Sequence, residues 1–592
     1  MNCPSRTEPE VPDKWNQSPN AFSSDLTTRS DMDKIANARL QRSHSVQNHV
    51  IPDLELQPDQ KPLSKEALGE KGREQDMNNS TAAVLPNTPR WRRGCQRITQ
   101  ASTQVAIKYA KFMGPGFMIS VAYIDPGNYA TDIAAGASYR FRLLFMILLS
   151  NIFAIFLQSL CIKLGSVSGL NLAEMCKAHM PPWLNYTLYF FAESAIIATD
   201  IAEVIGTAIA LNLLLHIPLV AGCAISIVDV LVILFFYRPE SGNMRALRAF
   251  EIFVSLLVVG VVVCFCFQLS LIQNTGVGEV FEGYLPSSAL VQSQGLYQAC
   301  GILGATVMPH SLYLGSGIIQ SRLEEFDKAN NNIPECEVVE SEDDDNNSIK
   351  KKYRPTIDAI RSCMNYSIVE LAFSLFTFAL FVNSAILIVA GASLSNVQGA
   401  DSADLFGIHN LISKQLAPVA GTIFALALLL SGISAGIVCT IAGQMISEGQ
   451  LSLKVKPWVR RLMTRCISIT PSIIIAGAVG QKGLSTALEA SQVTLSVILP
   501  FVSAPLIYFT CRNKYMTVGG NTLQRHDSNL TTTNTNDMNN EPRIASEAVA
   551  APQNEGIKMR NHWAVAVLAV LIWGVIVIMN IALLVLIGLG LA

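Results

Sequence analysis

The feature that most constrains this chain is a set of long stretches with no Lys or Arg. Residues 178–237, 249–321 and 362–413 contain no such side chain, and runs of Ile, Leu, Val, Ala and Phe fill much of them. A soluble domain does not exclude cations over stretches of that length. A helix needs about 20 apolar residues to cross the hydrocarbon layer, and in lipid only helices and closed barrels satisfy their own backbone groups. These stretches are too continuously apolar for barrel strands, which alternate over about ten residues. The expectation is an all-α membrane protein with about eleven transmembrane helices.

Half of the residues are apolar and 15% are charged. The net charge of −2 gives no basic excess of the kind that nucleic acid attracts, so no nucleic-acid partner is expected. The 13 cysteines lack metal-finger spacing and read as small buried apolar residues, with no disulfide framework. Residues 1–100 are polar and read as a disordered cytoplasmic tail, followed by a transmembrane domain over 105–592. Within that domain, 320–358 and 515–560 are rich in Asn, Asp, Lys or Thr and are expected to be disordered cytoplasmic loops. The Asp343-Asp344-Asp345 run reads as solvated loop rather than metal sensor, and the sequons at Asn79 and Asn529 fall in the predicted cytosol.

Orientation follows from the Lys and Arg of the short loops. Arg238, Arg245 and Arg248 lie between spans four and five, and Lys350, Lys351, Lys352 and Arg354 between six and seven. Lys454, Lys456, Arg460, Arg461 and Arg465 lie between eight and nine and Arg512 and Lys514 follow span ten, whereas 273–294 and 392–413 contain no Lys or Arg; Arg140, Arg142 and Lys482 are the exceptions in the opposite set of loops. The N-terminus is therefore expected in the cytosol. With an odd number of spans, the C-terminus is expected on the far side.

Two spans carry features that a purely structural helix would not need. Span one contains Asp125-Pro126-Gly127-Asn128, and span six contains Met308-Pro309-His310. Proline removes a backbone donor and clashes with the preceding turn, so each helix is expected to unwind there. Unwound backbone at membrane depth is tolerated only where it is buried or lines a cavity. Matched breaks in two halves point to the binding site of a transporter built from inverted repeats, here spans one to five and six to ten.

The groups at these breaks suit a metal ion. Asp125 offers a carboxylate, Asn128 an amide oxygen and Met308 a thioether. The carbonyl of Ala305 lies four residues before Pro309. Calcium and magnesium take oxygen ligands alone, whereas a thioether favours softer transition ions. One carboxylate among neutral donors makes a weak site, which suits release. An intramembrane Asp is functional by default. Asp200 and Glu203 share one face of span three and are candidate proton carriers, with Arg465 as a possible ion-pair partner for packing. His310 is placed either to take a proton or to brace the broken helix. Glu193 and Glu370 also fall within spans.

These two motifs together, with Gly114-Pro115-Gly116 and Leu170-Asn171-Leu172-Ala173-Glu174, resemble the Nramp family of proton-coupled metal transporters, and within it the fungal manganese transporters. The resemblance spans roughly 105–592 and implies a LeuT-like inverted repeat (5+5). It implies metal contacts from Asp125, Asn128, Met308 and the Ala305 carbonyl, with the Ala122 carbonyl joining in some states and Gln492 from span ten. It also places Asp200 and Glu203 on a proton route.

The function expected is proton-coupled symport of divalent transition-metal ions, Mn²⁺ and Fe²⁺ preferred, toward the cytosol by alternating access. The metal is cargo, so neither cofactor nor enzymatic chemistry is expected. The partners are metal ions, protons and membrane lipid, in a plasma, endosomal or vacuolar membrane. An amino-acid type carrier is disfavoured because Asp125 repels an anionic substrate. A metal sensor on the same scaffold is disfavoured because the last span ends the chain, and a channel would lack proton coupling.

Overall fold

The computed structural model describes residues 115–228, 244–273, 275–332, 337–338, 351–395, 404–451, 457–518 and 556–590. The expected tail, the Asp343-Asp344-Asp345 run and both sequons lie outside the described residues.

The first span is two helices, α1 (Pro115–Val121) and α2 (Pro126–Tyr139). Then come α3 (Leu144–Ser168), the short α4 (Leu172–His179), α5 (Pro182–Leu215), α6 (Leu219–Ile225), α7 (Met244–Ser270) and α8 (Val277–Glu282). The sixth span is again split, into α9 (Ser293–Thr306) and α10 (Pro309–Ala329). α11 (Ile357–Ser374) and α12 (Leu380–Ser393) are joined by a π-helical turn, Leu375–Ala379. α13 (Leu405–Gln415), α14 (Pro418–Leu451), α15 (Pro457–Ala478), α16 (Gln481–Thr510) and α17 (Trp563–Gly588) complete the helices. Among the described residues, 8 helices are long and apolar enough to cross a membrane, with both halves of the sixth span counted as one. The split first span and the shorter apolar stretch of α15 correspond to two more of the expected set, while the span expected at 218–236 begins with α6 and lies from 229 onward outside the described residues.

Local chemistry sets the helix ends. Pro126 and Pro309 each occupy the first turn of their helix, where a missing N–H costs nothing. α4 begins with a reciprocal capping box between Asn171 and Glu174. α3 ends at Gly169, whose φ of 66° is the left-handed conformation that glycine adopts freely. The π turn is met by Asn151, whose side-chain amide donates to the Leu375 carbonyl at 3.2 Å.

The two broken spans pack against each other in opposite directions. α1 meets α10, and α2 meets α9. This antiparallel crossing is the arrangement an inverted repeat produces. α5 lies along both α14 and α16, forming the wall beside the crossing. Small residues permit the tightest approaches. A Cβ placed on Gly165 of α3 would lie 2.0 Å from the Ser316 carbonyl oxygen of α10, so any side chain there would force the helices apart.

The cytoplasmic loops expected at 320–358 and 515–560 are narrower than the sequence implied. α10 continues to Ala329 and α11 begins at Ile357. Asp327 ties these ends together: its carboxylate accepts from Tyr353 Oη at 2.6 Å, Asn332 Nδ2 at 2.9 Å and the Thr356 backbone N–H at 3.1 Å. Short antiparallel pairs, Glu337–Val338 with Lys351–Lys352 and Thr517–Val518 with Ile557–Lys558, close the necks of both loops. Composition marks a loop's polar middle but not the hydrogen bonds that order its ends.

Candidate functional site

At the first break, the chain leaves helical geometry between Val121 and Pro126, and every residue from Ala122 to Asn128 is buried. Asp125 caps α2. Its Oδ1 accepts from the Asn128 N–H at 3.0 Å, leaving Oδ2 buried without a hydrogen-bond partner. The Asn128 side-chain amide donates to the Tyr123 carbonyl at 3.0 Å, which aims its own oxygen elsewhere, buried and unmatched. Neighbouring spans hold the unwound strand. Asn383 of α12 donates to the Tyr123 carbonyl at 3.3 Å, and Ser431 of α14 to the Ile124 carbonyl at 3.0 Å.

The second break falls at Val307 and Met308, both fully buried. The Met308 carbonyl accepts from Ser311, through the backbone N–H at 3.1 Å and the hydroxyl at 2.7 Å. The breaks match in one further respect. Ala122 lies four residues before Pro126 and Ala305 four before Pro309, so the residue that a continuous helix would pair with each alanine carbonyl has no N–H to give.

The breaks are joined directly. Tyr123 Oη lies 3.0 Å from Ser311 Oγ, and the Gln158 amide of α3 donates at 2.9 Å to Tyr123 Oη and to both oxygens of Ser311. Gln492 of α16 reaches both. A Cβ on Gly127 would lie 2.0 Å from Gln492 Nε2, and a Cβ on Gly304 would lie 2.0 Å from the Gln492 carbonyl oxygen. Only glycine leaves α16 this close to either helix. Gln492 Nε2 donates to Ser491 Oγ at 3.1 Å, while Oε1 is buried and unmatched.

Buried polar atoms are ordinarily hydrogen-bonded, so each exception asks for an explanation. Here the unmatched atoms include acceptor oxygens of Asp125, Asn128 and Gln492. Acceptors without donors are what a cation requires.

The expected proton groups form a second cluster. His310 is buried, with Nδ1 at 3.3 Å from Thr199 Oγ1 of α5. Next along α5, Asp200 Oδ1 lies 2.6 Å from Arg465 Nη1 of α15, and the same nitrogen is 3.3 Å from Glu203 Oε2. Ser468 donates to the other Asp200 oxygen at 2.9 Å. The Cys439 thiol also lies here, its sulfur and one oxygen of each carboxylate all within 4.8 Å of one another. The Arg465 guanidinium already supplies the positive charge, so a divalent ion would have to displace it. Glu370 belongs elsewhere. It pairs with Arg322 at 2.5 Å and clamps α11 to α10. The ten described cysteines are free.

Sequence reasoning passed over Asp132. It is buried in α2 with neither carboxylate oxygen hydrogen-bonded, seven residues and so about two turns beyond Asp125. The rule that singled out Asp125, an acid inside a span, applied equally to it. Tyr123, Gln158, Asn383 and Ser431 gave no local signal, because their partners lie far along the chain.

The family profile described as Nramp, natural resistance-associated macrophage protein-like, matches residues 116–525. The manganese transporter SMF1 of Saccharomyces cerevisiae is 50% identical over 513 residues, covering 83% of this chain and 88% of that protein. The iron transporter SMF3 of the same yeast is 50% identical over 432 residues, covering 72% and 85%. Among solved structures, the Eremococcus coleocola manganese transporter aligns at 29% identity with a TM-score of 0.61, covering 80% of this chain and 85% of that one. Broken spans that cross antiparallel, a buried site at the breaks and a profile match covering most of the chain lead to one conclusion: this chain belongs to the Nramp family.

Proposed function

We propose that this protein carries divalent transition-metal ions, Mn²⁺ and Fe²⁺ foremost, toward the cytosol together with protons. The observation that carries this reading is the unmatched, buried oxygen of Asp125 beside that of Asn128, at a helix break that meets a second break bearing Met308. The names of the yeast relatives support manganese and iron as cargo.

In this reading, a partly dehydrated ion enters between the breaks and is held by Asp125, Asn128, Met308 and Gln492. The carbonyls of Ala122 and Ala305 complete its shell as the helices move. Pro126, Gly127 and Pro309 keep the backbone open. A proton passes from Asp125 or His310 by way of Thr199 to the Asp200, Glu203 and Arg465 group. Rocking of the broken spans then exposes the inner face. The bias of Lys and Arg supports a cytosolic N-terminus and an extracytosolic C-terminus. The reading also takes 1–100 as a cytoplasmic tail ahead of a transporter domain over 105–592.

The test is metal uptake by the purified chain in proteoliposomes with an imposed pH gradient. Uptake of Mn²⁺ and Fe²⁺ should rise when the outside is made acidic, while Ca²⁺ is rejected. Met308→Ala should lose several-fold more discrimination against Ca²⁺ than it loses Mn²⁺ uptake, because oxygen donors alone suit calcium. Uptake indifferent to the gradient, or unchanged calcium rejection in Met308→Ala, would refute the reading.

A further inference from the structure

A groove of about 750 Å³ opens on the membrane-facing side of the bundle, between α5, α16 and α17. Leu184, Leu188, Phe501, Tyr508, Trp573 and Leu584 are among its walls, and the lining is almost wholly apolar. The Trp573 indole is fixed by donating to the Pro500 carbonyl at 2.9 Å. From Trp573 to Leu584 the groove follows α17 for about 16 Å at 1.5 Å per residue, a length suited to an acyl chain rather than a compact solute.

One end of the groove is bordered by cations. The Arg512 guanidinium carbon lies 4.4 Å from the centre of the Tyr508 ring, itself part of the wall. The Tyr508 ring lies 5.9 Å from that of Tyr515 in a tilted contact, and Tyr515 has Lys514 Nζ at 5.5 Å and the His179 ring at 4.8 Å. Met180, another wall residue, follows His179 directly. The Thr517–Val518 and Ile557–Lys558 pair, continued by backbone bonds from Met559 to Met516 at 2.8 Å and from Asn561 to Thr510 at 3.1 Å, runs the segment that contains Lys558 and Arg560 beside residues 510–518. Residues 175–192, 490–518 and 556–590 contain no Asp or Glu at all. Among the described residues of these three segments, every charged side chain is cationic.

We propose that the groove is a binding site for an anionic phospholipid, with an acyl chain against Trp573 and Leu188 and the phosphate at Arg512 and Lys514. A second copy of this chain fits less well, because it would bring a second basic collar against the first. The proposal does not depend on what ion the central site carries. A basic residue near the membrane surface favours anionic lipid by about fivefold. Two of them are enough to select a headgroup.

The test uses the full chain in phosphatidylcholine vesicles into which acyl-brominated phosphatidylglycerol or acyl-brominated phosphatidylcholine is titrated. Bromine quenches indole fluorescence on contact, and subtracting a Trp573→Phe variant isolates the signal of the groove. Quenching by phosphatidylglycerol should reach its midpoint at a mole fraction at least about fivefold lower than with phosphatidylcholine. The double variant Arg512→Gln, Lys514→Gln should lose that difference while phosphatidylcholine quenching persists. Both residues are exposed, so the fold is not at risk, and retained phosphatidylglycerol in native mass spectra of the unaltered chain gives an independent readout. Equal quenching by the two lipids would overturn the proposal. So would a preference that survives the double variant, or an unquenched Trp573 in a chain that cross-links as a dimer across this face.

Discussion

Asp125→Asn is expected to reduce Mn²⁺ uptake by more than about 100-fold while leaving the protein folded. The substitution separates the two tasks of this side chain. As the cap of α2, Asp125 accepts from the Asn128 N–H through Oδ1, and asparagine does this equally well. The helix start therefore survives. What is lost is the negative charge on a buried group. With an effective dielectric of about 20, two unit charges 4 Å apart attract by about 4 kcal/mol, and a divalent ion by twice that. Losing even half of this exceeds 100-fold in an equilibrium constant, at 1.4 kcal/mol per factor of ten. Uptake in proteoliposomes and thermal melting of the same preparation check the two halves of the prediction. Substantial uptake by a folded Asp125→Asn protein would show that the carboxylate does not hold the ion.

The second large effect is expected at Arg465. Its guanidinium is buried and shared between Asp200 and Glu203, so Arg465→Met strands two carboxylates away from water. Breaking a buried ion pair from one side costs about 3–5 kcal/mol, whereas replacing the whole group by neutral residues is often close to neutral. The single variant should therefore melt far earlier than the parent. The triple variant Asp200→Asn, Glu203→Gln, Arg465→Met should recover most of the loss. If the cluster also carries protons, the triple variant will fold yet take up metal without response to the pH gradient. That outcome distinguishes a proton route from a purely structural ion pair. A single variant as stable as the parent would show that the carboxylates are compensated from elsewhere.

Much of the architecture was legible because membranes punish ambiguity. A span must be apolar and long, and a proline within it must be paid for by neighbours. Pro126 and Pro309 therefore marked both breaks, and the acid beside the first marked the site. Gln492 was different. It is an unremarkable glutamine in α16, placed by resemblance alone, and its position against Gly127 and Gly304 depends on how three spans pack. The hub of Tyr123, Gln158 and Ser311 links residues 188 apart in sequence, and Asn383 reaches Tyr123 across 260. No periodicity records such partners. Glu370 illustrates the converse. It satisfied the rule for an intramembrane acid, yet pairing with Arg322 makes it a clamp between helices. Asp132 satisfied the same rule and was missed.

Anomalous diffraction at the manganese edge, from crystals of the chain grown with Mn²⁺, locates the bound ion. An ion held at the helix breaks gives its strongest peak between the Asp125 carboxylate, the Asn128 amide oxygen and the Met308 sulfur, which is the expected result. A strongest peak among Asp200, Glu203 and Cys439, with none at the helix breaks, would contradict it.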